Sequence, residues 1–190
     1  ADVLGTRNPF KMMREIRSTV FPMMRRMLDD AWDAAQGADL VVYHPKALAG
    51  VHIAERLGIP CVVAPVVPLV VPTRAFPAPG INVNFGRPFN RLTYTLITQG
   101  TRMFQRLIDD WRRETLGLGP ASNKAGMYTV NGRPVPVVHG VSEHVVPRPA
   151  DWPEHAVMTG FWTLEDEDWS PPASLEKFLT NGEPPVYIGF

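Results

Sequence analysis

The run DLVVYHPKALAGVHIAERLGIPCVVA, Asp39 to Ala64, decides the fold. Leu40-Val41-Val42-Tyr43 is short, apolar and β-branched, and lies between Gly37 and Pro45, which predicts a strand. Leu48 to Leu57 then places Ala49, His52, Ile53 and Leu57 in helical phase, and Gly58-Ile59-Pro60 stops the helix. Cys61-Val62-Val63-Ala64 is apolar without interruption, which predicts a second strand buried on both faces. Two strands joined through one helix by connections of only a few residues make a βαβ crossover, and so a parallel sheet.

Upstream, residues 9–36 predict a long amphipathic helix with Met13, Ile16, Val20, Met24, Met27, Ala31 and Ala35 on its apolar face. Pro22 lies inside it and predicts a kink or a split, and Gly37 suits a C-cap. The methionines between Met12 and Met27 form either a flexible core stripe or part of the lining of a pocket for a bulky apolar ligand.

Downstream of Ala64 the pattern breaks. Pro65, Pro68, Pro72, Pro77, Pro79 and Pro88, with Gly80 and Gly86, exclude regular structure over residues 65–90. Val67, Leu69, Val70, Val71, Phe76 and Phe85 make the segment too apolar for a solvated linker. A long apolar loop leaving the carboxyl end of a parallel strand is where open α/β sheets place ligands. Helix returns from Arg91 to Leu116, with a break near Gly100. Residues 121–134 read as loop with a turn at Asn131-Gly132, Val135 to Val141 and Ala156 to Gly160 as strands, and Pro147 to Pro153 as a turn between them. Glu165 to Asp168 reads as exposed loop and Pro172 to Leu179 as a short helix. Val186-Tyr187-Ile188-Gly189-Phe190 reads as the opening of a buried strand, so the chain is expected to be a piece of a longer protein.

With 190 residues, 45% hydrophobic and 20% charged, the chain can bury a sizeable core and is not of disordered composition. Net charge is zero but unevenly spread: residues 1–133 hold 17 Lys/Arg and 10 Asp/Glu, and residues 134–190 hold 2 and 9. The blocks are either solvated faces that pair within the molecule, or a basic surface for anionic lipid or an acidic partner. The one cysteine, Cys61, lies in an apolar run and is expected to be a buried small hydrophobe in a reducing compartment. No run of about 18 apolar residues predicts a membrane span.

Signatures of complete chemistry are missing from the sequence. His44, His52, His139, His144 and His155 lack the close spacings that zinc requires and read as packing or surface histidines. Gly140-Val141-Ser142-Glu143-His144 is short of the second glycine of a nucleophile elbow. There is no dinucleotide fingerprint, no P-loop and no basic-aromatic nucleic-acid surface, so no catalytic, cofactor or metal residue is assigned and no nucleic-acid partner is expected.

Four stretches resemble the sterol 3-β-glucosyltransferase group of UDP-sugar-dependent glycosyltransferases: Pro45 with Gly50 to Pro60; Pro72-Thr73-Arg74-Ala75-Phe76-Pro77; Val146 to Pro153 followed by Thr159-Gly160-Phe161-Trp162; and Pro184 to Phe190. The resemblance implies an α/β fold, a Rossmann-like parallel sheet with helices on both faces, as part of the acceptor-binding half of a two-domain GT-B enzyme. It implies that residues 1–170 belong to the acceptor domain, 171–185 to an interdomain linker and 186–190 to the first strand of a donor domain. It also implies inverting transfer of a sugar, glucose by the family's name, from a UDP-sugar to a hydroxyl of a sterol, terpenoid, lipid or polyketide. The UDP-sugar is then bound through the donor domain, the location is cytoplasmic, and peripheral membrane contact is expected. Tyr43, His44, Pro72, Thr73 and Phe76 are the expected acceptor-lining residues, while Asp151, Trp152 and Trp162 brace the turn toward the linker. The competing reading is a non-catalytic module that binds a hydrophobic ligand or a membrane surface; a solute-binding α/β protein is a weaker third.

Overall fold

The computed structural model describes residues 14, 16–68, 70–84, 86–121, 129–130, 132–166 and 168–188. Part of the long helix expected over residues 9–36, including Met12 and Met13, lies outside them, as do Leu69, Phe85, Asn131, Gly189 and Phe190. A π-helical turn at Ile16–Val20 leads into helix α1, Phe21–Ala34, with Pro22 in its first turn. Proline has no N–H to donate to the carbonyls of the turn before it, and the hydrogen-bond ladder changes from π to α at this point, which marks a division between the two pieces. The buried stripe of α1 keeps the expected Met24, Ala31 and Ala35 but takes Leu28 in place of Met27. Leu28 is its buried centre, packed with Met24, Ala31, Trp32 and Ala35, whereas Met27 is 46% exposed.

The decisive segment folds as anticipated. Strand β1 is Val41–Tyr43, helix α2 is Gly50–Leu57 and strand β2 is Cys61–Val63, with β1 and β2 paired in parallel. Gly58, in the left-handed region at φ 70°, ends α2 and returns its N–H to the Ala54 carbonyl. Helix α3 is Arg87–Thr101, followed by a 3₁₀ turn at Arg102–Phe104, helix α4 at Gln105–Trp111 and a π-helical turn at Arg112–Leu116. The break expected near Gly100 is therefore the 3₁₀ turn. The helix begins four residues before Arg91 because Pro88 falls in its first turn, where it favours the helix.

A small antiparallel pair, β3 (Thr129–Val130) and β4 (Arg133–Pro134), occupies a segment that reads as loop in the sequence. Strands β5 (Val137–His139) and β6 (Ala156–Met158) complete a four-stranded parallel sheet in the order β1-β2-β5-β6. Its register aligns Tyr43, Val63, Val137 and Ala156 in one buried row. That row joins Val51 and Ala54 of α2, Cys61, Val71, Val135 and Trp152 in one apolar cluster. The other face of α2, with Ala49 and Ile53, packs with Leu28 of α1 and with Ile108 and Trp111 of α4 in a second cluster. Helix α2 is thus a middle layer between the sheet and the outer helices.

Polar bonds fasten these layers. The Arg112 guanidinium, only 2% exposed, donates to both Glu55 carboxylate oxygens at 2.7 and 3.1 Å, to the Gly119 carbonyl at 2.8 Å and to His52 Nδ1 at 2.8 Å. Burial, helped by the neighbouring Arg112 charge, lowers the His52 pKa to about 4, so the ring is neutral and accepts at Nδ1. Asp29 of α1 accepts from the Trp111 indole at 3.0 Å and from the Thr115 hydroxyl at 3.2 Å.

Beyond β6 burial thins out. Helix α5, Ala173–Thr180, has no buried residue, and its apolar Leu175, Phe178 and Leu179 are 39, 62 and 52% exposed. Residues 186–188 form no strand: Val186, Tyr187 and Ile188 are 86, 92 and 77% exposed. A strand is stabilised by its neighbours in a sheet, and none of the described strands lies alongside these residues.

Candidate functional site

The carboxyl ends of the four parallel strands, Tyr43, Val63, His139 and Met158, form one rim, with β5 and β6 running two residues beyond β1 and β2, and the chain's least regular apolar segment leaves from it. Hydrogen bonds carry the ladder past the strand ends: Ala64 N–H to the Tyr43 carbonyl at 2.8 Å, Gly140 N–H to the Pro65 carbonyl at 3.0 Å and Thr159 N–H to the His139 carbonyl at 3.0 Å. The loop from Ala64 to Gly86 is held at three points. The Trp152 indole donates to the Val71 carbonyl at 3.2 Å. Asp151 accepts from the Thr73 hydroxyl at 2.6 Å and from the Arg74 amide at 2.9 Å. From the other side, the Thr93 hydroxyl of α3 accepts from the Ala78 amide at 2.7 Å, and the Asn90 amide donates to the Arg74 carbonyl at 3.2 Å.

The turn that supplies Asp151 and Trp152 is itself fixed to β6. Arg148 donates to the Ala156 carbonyl at 3.2 Å and to the Pro153 carbonyl at 2.9 Å. Desolvation pushes the Asp151 carboxyl upward, but the Thr73 hydroxyl, the backbone amides and Arg91 together hold it below the usual carboxylate range. Trp152 also stacks on His139, with ring centroids 4.4 Å apart and planes 15° from parallel. His139 is fully buried at the end of β5. Its Nδ1 lies 3.1 Å from the Val157 carbonyl and so carries the proton, since a carbonyl only accepts. Among the described residues its Nε2 has no partner. Burial pushes its pKa down, against the Val157 hydrogen bond, which leaves a neutral ring.

The residues expected to line an acceptor are brought to this rim but differ in access. Tyr43 is 6% exposed, and its ring covers Gly50, where any added Cβ would overlap it. Thr73 is fully buried, with its hydroxyl shared between Asp151 and the Ala75 amide. Phe76 is half-buried against the same cluster as Tyr43. Pro72 is exposed, and His44 is half-buried with Nδ1 accepting from the Lys46 amide at 3.2 Å. The sequence assigns Asp151 and Trp152 to bracing without showing their partners, and it does not single out His139 at all. The signal for Asp151 is its place in one of the stretches carrying the family resemblance, while its partner Thr73 stands in another.

No protein-family model matches the chain. Individual relatives do. Over 191 residues, 95% of this chain, it is 34% identical to the "Sterol 3-beta-glucosyltransferase" of Leptosphaeria maculans. Over 178 residues, 86% of the chain, it is 36% identical to the protein of the same name from Cryptococcus neoformans. The chain is a relative of the sterol 3-beta-glucosyltransferases. The Neurospora crassa protein of that name is 33% identical over 190 residues, again 95% of the chain. The chain spans only 11 to 13% of the length of these curated relatives. Two of the stretches that carry the resemblance to sterol 3-beta-glucosyltransferases, Pro72–Pro77 and Val146–Pro153, are those that Asp151 joins at the rim.

Proposed function

We propose that these 190 residues are the acceptor side of an inverting glycosyltransferase that moves glucose from UDP-glucose to the hydroxyl of a lipophilic acceptor, a sterol before other terpenoids, lipids or polyketides. The observation that carries this reading is the 34–36% identity, over most of the chain, to proteins named sterol 3-beta-glucosyltransferase. The apolar loop at the carboxyl rim of a parallel sheet supports it, because that is where such sheets receive ligands. In this reading residues 1–170 form part of the acceptor domain of a GT-B enzyme, 171–185 its linker, and 186–190 the entry to the donor domain that binds the UDP-sugar.

Pro72, Phe76 and His44 then offer the accessible acceptor contacts, and Tyr43 and Thr73 shape the wall behind them. Work on a sterol suits a cytoplasmic protein in peripheral contact with a membrane. The relatives' shared name counts against a non-catalytic module. The test incubates the full-length protein with UDP-glucose and a panel of a sterol, a triterpenoid and a polyketide alcohol, and tracks UDP release and product mass. A sterol monoglucoside is the expected product. Absence of transfer to every acceptor overturns the reading.

A further inference from the structure

His139 ends β5 with one ring nitrogen bonded and the other without a partner among the described residues. The ring is fully buried, and its Nδ1 proton goes to the Val157 carbonyl of β6. Nε2 therefore carries a bare lone pair and can only accept. The stack on Trp152 fixes the plane of the ring, and the Val157 bond fixes its rotation, so Nε2 is held in one direction. A buried acceptor left unmet is costly, and native structures meet it with protein, water or a ligand. The wall around it is mainly apolar. Alternate residues of a strand share a face, so His139 stands on the face of Val137. Tyr43, Val71 and Trp152 pack on that face, with Phe76 and Met158 half-buried against them. Val71 and Phe76 come from the loop that leaves β2, so a segment without regular structure roofs the histidine.

One fixed hydrogen-bond acceptor in an apolar enclosure suits a large apolar molecule with a single hydroxyl. We infer that His139 Nε2 receives the hydroxyl of the lipophilic acceptor and so selects an alcohol over the same molecule without its oxygen. The inference rests on the proposed sugar transfer and names the residue that reads the acceptor. A trapped water suits the place less well. It needs several polar partners, and the Trp152 indole N–H is already given to the Val71 carbonyl. His139 takes the hydrogen bond without removing the proton. Its Nδ1 faces a neutral carbonyl, which stabilises an imidazolium far less than a carboxylate would. Burial disfavours the charged ring as well. The role is therefore binding and orientation of the hydroxyl, and the base that the transfer needs is a separate group. Trp152 serves both sides of the arrangement: its ring backs the histidine, and its indole holds the loop that roofs it.

The test measures binding of cholesterol, and of the same hydrocarbon without its hydroxyl, to the full-length protein in detergent. No nucleotide sugar is present, so a hydroxyl preference without transfer sinks only the proposed function, and transfer without that preference sinks only this inference. Wild type is expected to hold cholesterol at least about tenfold more tightly than the deoxy compound. His139→Asn keeps an N–H for the Val157 carbonyl but offers no acceptor where Nε2 stands. It should bring the ratio of affinities close to unity by weakening cholesterol alone. His139→Gln returns an acceptor oxygen near that place and should restore most of the preference. Where the asparagine variant melts too early to assay, His139→Phe, which keeps the stack on Trp152, gives the same reading. A merely structural histidine would weaken both ligands alike and leave the ratio as it was. An unchanged ratio in the asparagine or phenylalanine variant overturns the inference and leaves Nε2 to a buried water only. Equal wild-type binding of the two compounds, or binding of neither, overturns it too.

Discussion

The Thr73 hydroxyl donates to the Asp151 carboxylate at 2.6 Å, across 78 positions of sequence. The second carboxylate oxygen takes the Arg74 amide, so one side chain secures a loop that has no ladder of its own. Asp151→Ala is expected to cost about 1.5–3 kcal/mol of stability, the usual range for charge-assisted hydrogen bonds. Asp151→Asn should cost nearly as much, because its NH₂ faces a group that needs an acceptor. Urea unfolding of the two variants checks this, and a silent alanine variant would remove Asp151 from the support of the loop.

His52 makes the fold sensitive to acid. Its folded pKa of about 4 lies below the ordinary value of 6.5. The unfolded chain therefore takes up a proton that the folded chain refuses. Stability from this group is full above pH 6.5 and is lost as pH falls toward 4, by about 2 kcal/mol at pH 5. Glu55, held below its usual range by the Arg112 hydrogen bond against the pull of burial, adds a further loss at lower pH. Histidine-ring NMR should show His52 still neutral at about pH 5.

Arg112 makes four contacts in a fork geometry that lysine does not reproduce. Arg112→Lys is expected to destabilise by about 2–3 kcal/mol, because Glu55, His52 and the Gly119 carbonyl cannot all be satisfied by one ammonium. A melting temperature equal to wild type would refute that account.

Gly50→Ala puts a methyl into the Tyr43 ring, which cannot retreat because it closes the buried row of the sheet. A loss of about 3 kcal/mol or more is expected. Gly50→Ala combined with Tyr43→Leu should recover part of it, and the double-mutant cycle reads that coupling.

Burial pushes the Cys61 thiol up to about 11. At about pH 8 only about one thiol in a thousand is thiolate. Labelling by iodoacetamide should be very slow in the native protein and fast in urea; rapid native labelling would contradict the burial.

The βαβ unit is legible in the sequence because each of its elements is closed by glycine or proline and its strands are apolar throughout. Other elements hide for specific reasons. Pro88 reads as a loop residue because proline looks alike in a turn and at a helix start. The strands β3 and β4 are two residues each, too short for any period. Met27 reads as core because steps of three and of four from Met24 are equally helical in a sequence, and packing takes the step of four to Leu28. At the candidate site the rim and its apolar loop are visible from strand–loop order, whereas the Asp151–Thr73 bond and the stacking of His139 on Trp152 depend on tertiary contact.

The bonds around residues 71–78 also bear on how the molecule opens. That segment is fastened to α3 on one side and to the 147–153 turn on the other, and the turn is fastened to β6. The loop and α3, neighbours in sequence, are thereby coupled to a turn about 70 to 80 positions away in a single cooperative unit, and none can unfold locally without loosening the others. A molecule captured at the rim would lower the free energy of that whole unit at once, so its binding would be felt at α3, well away from the atoms it touches.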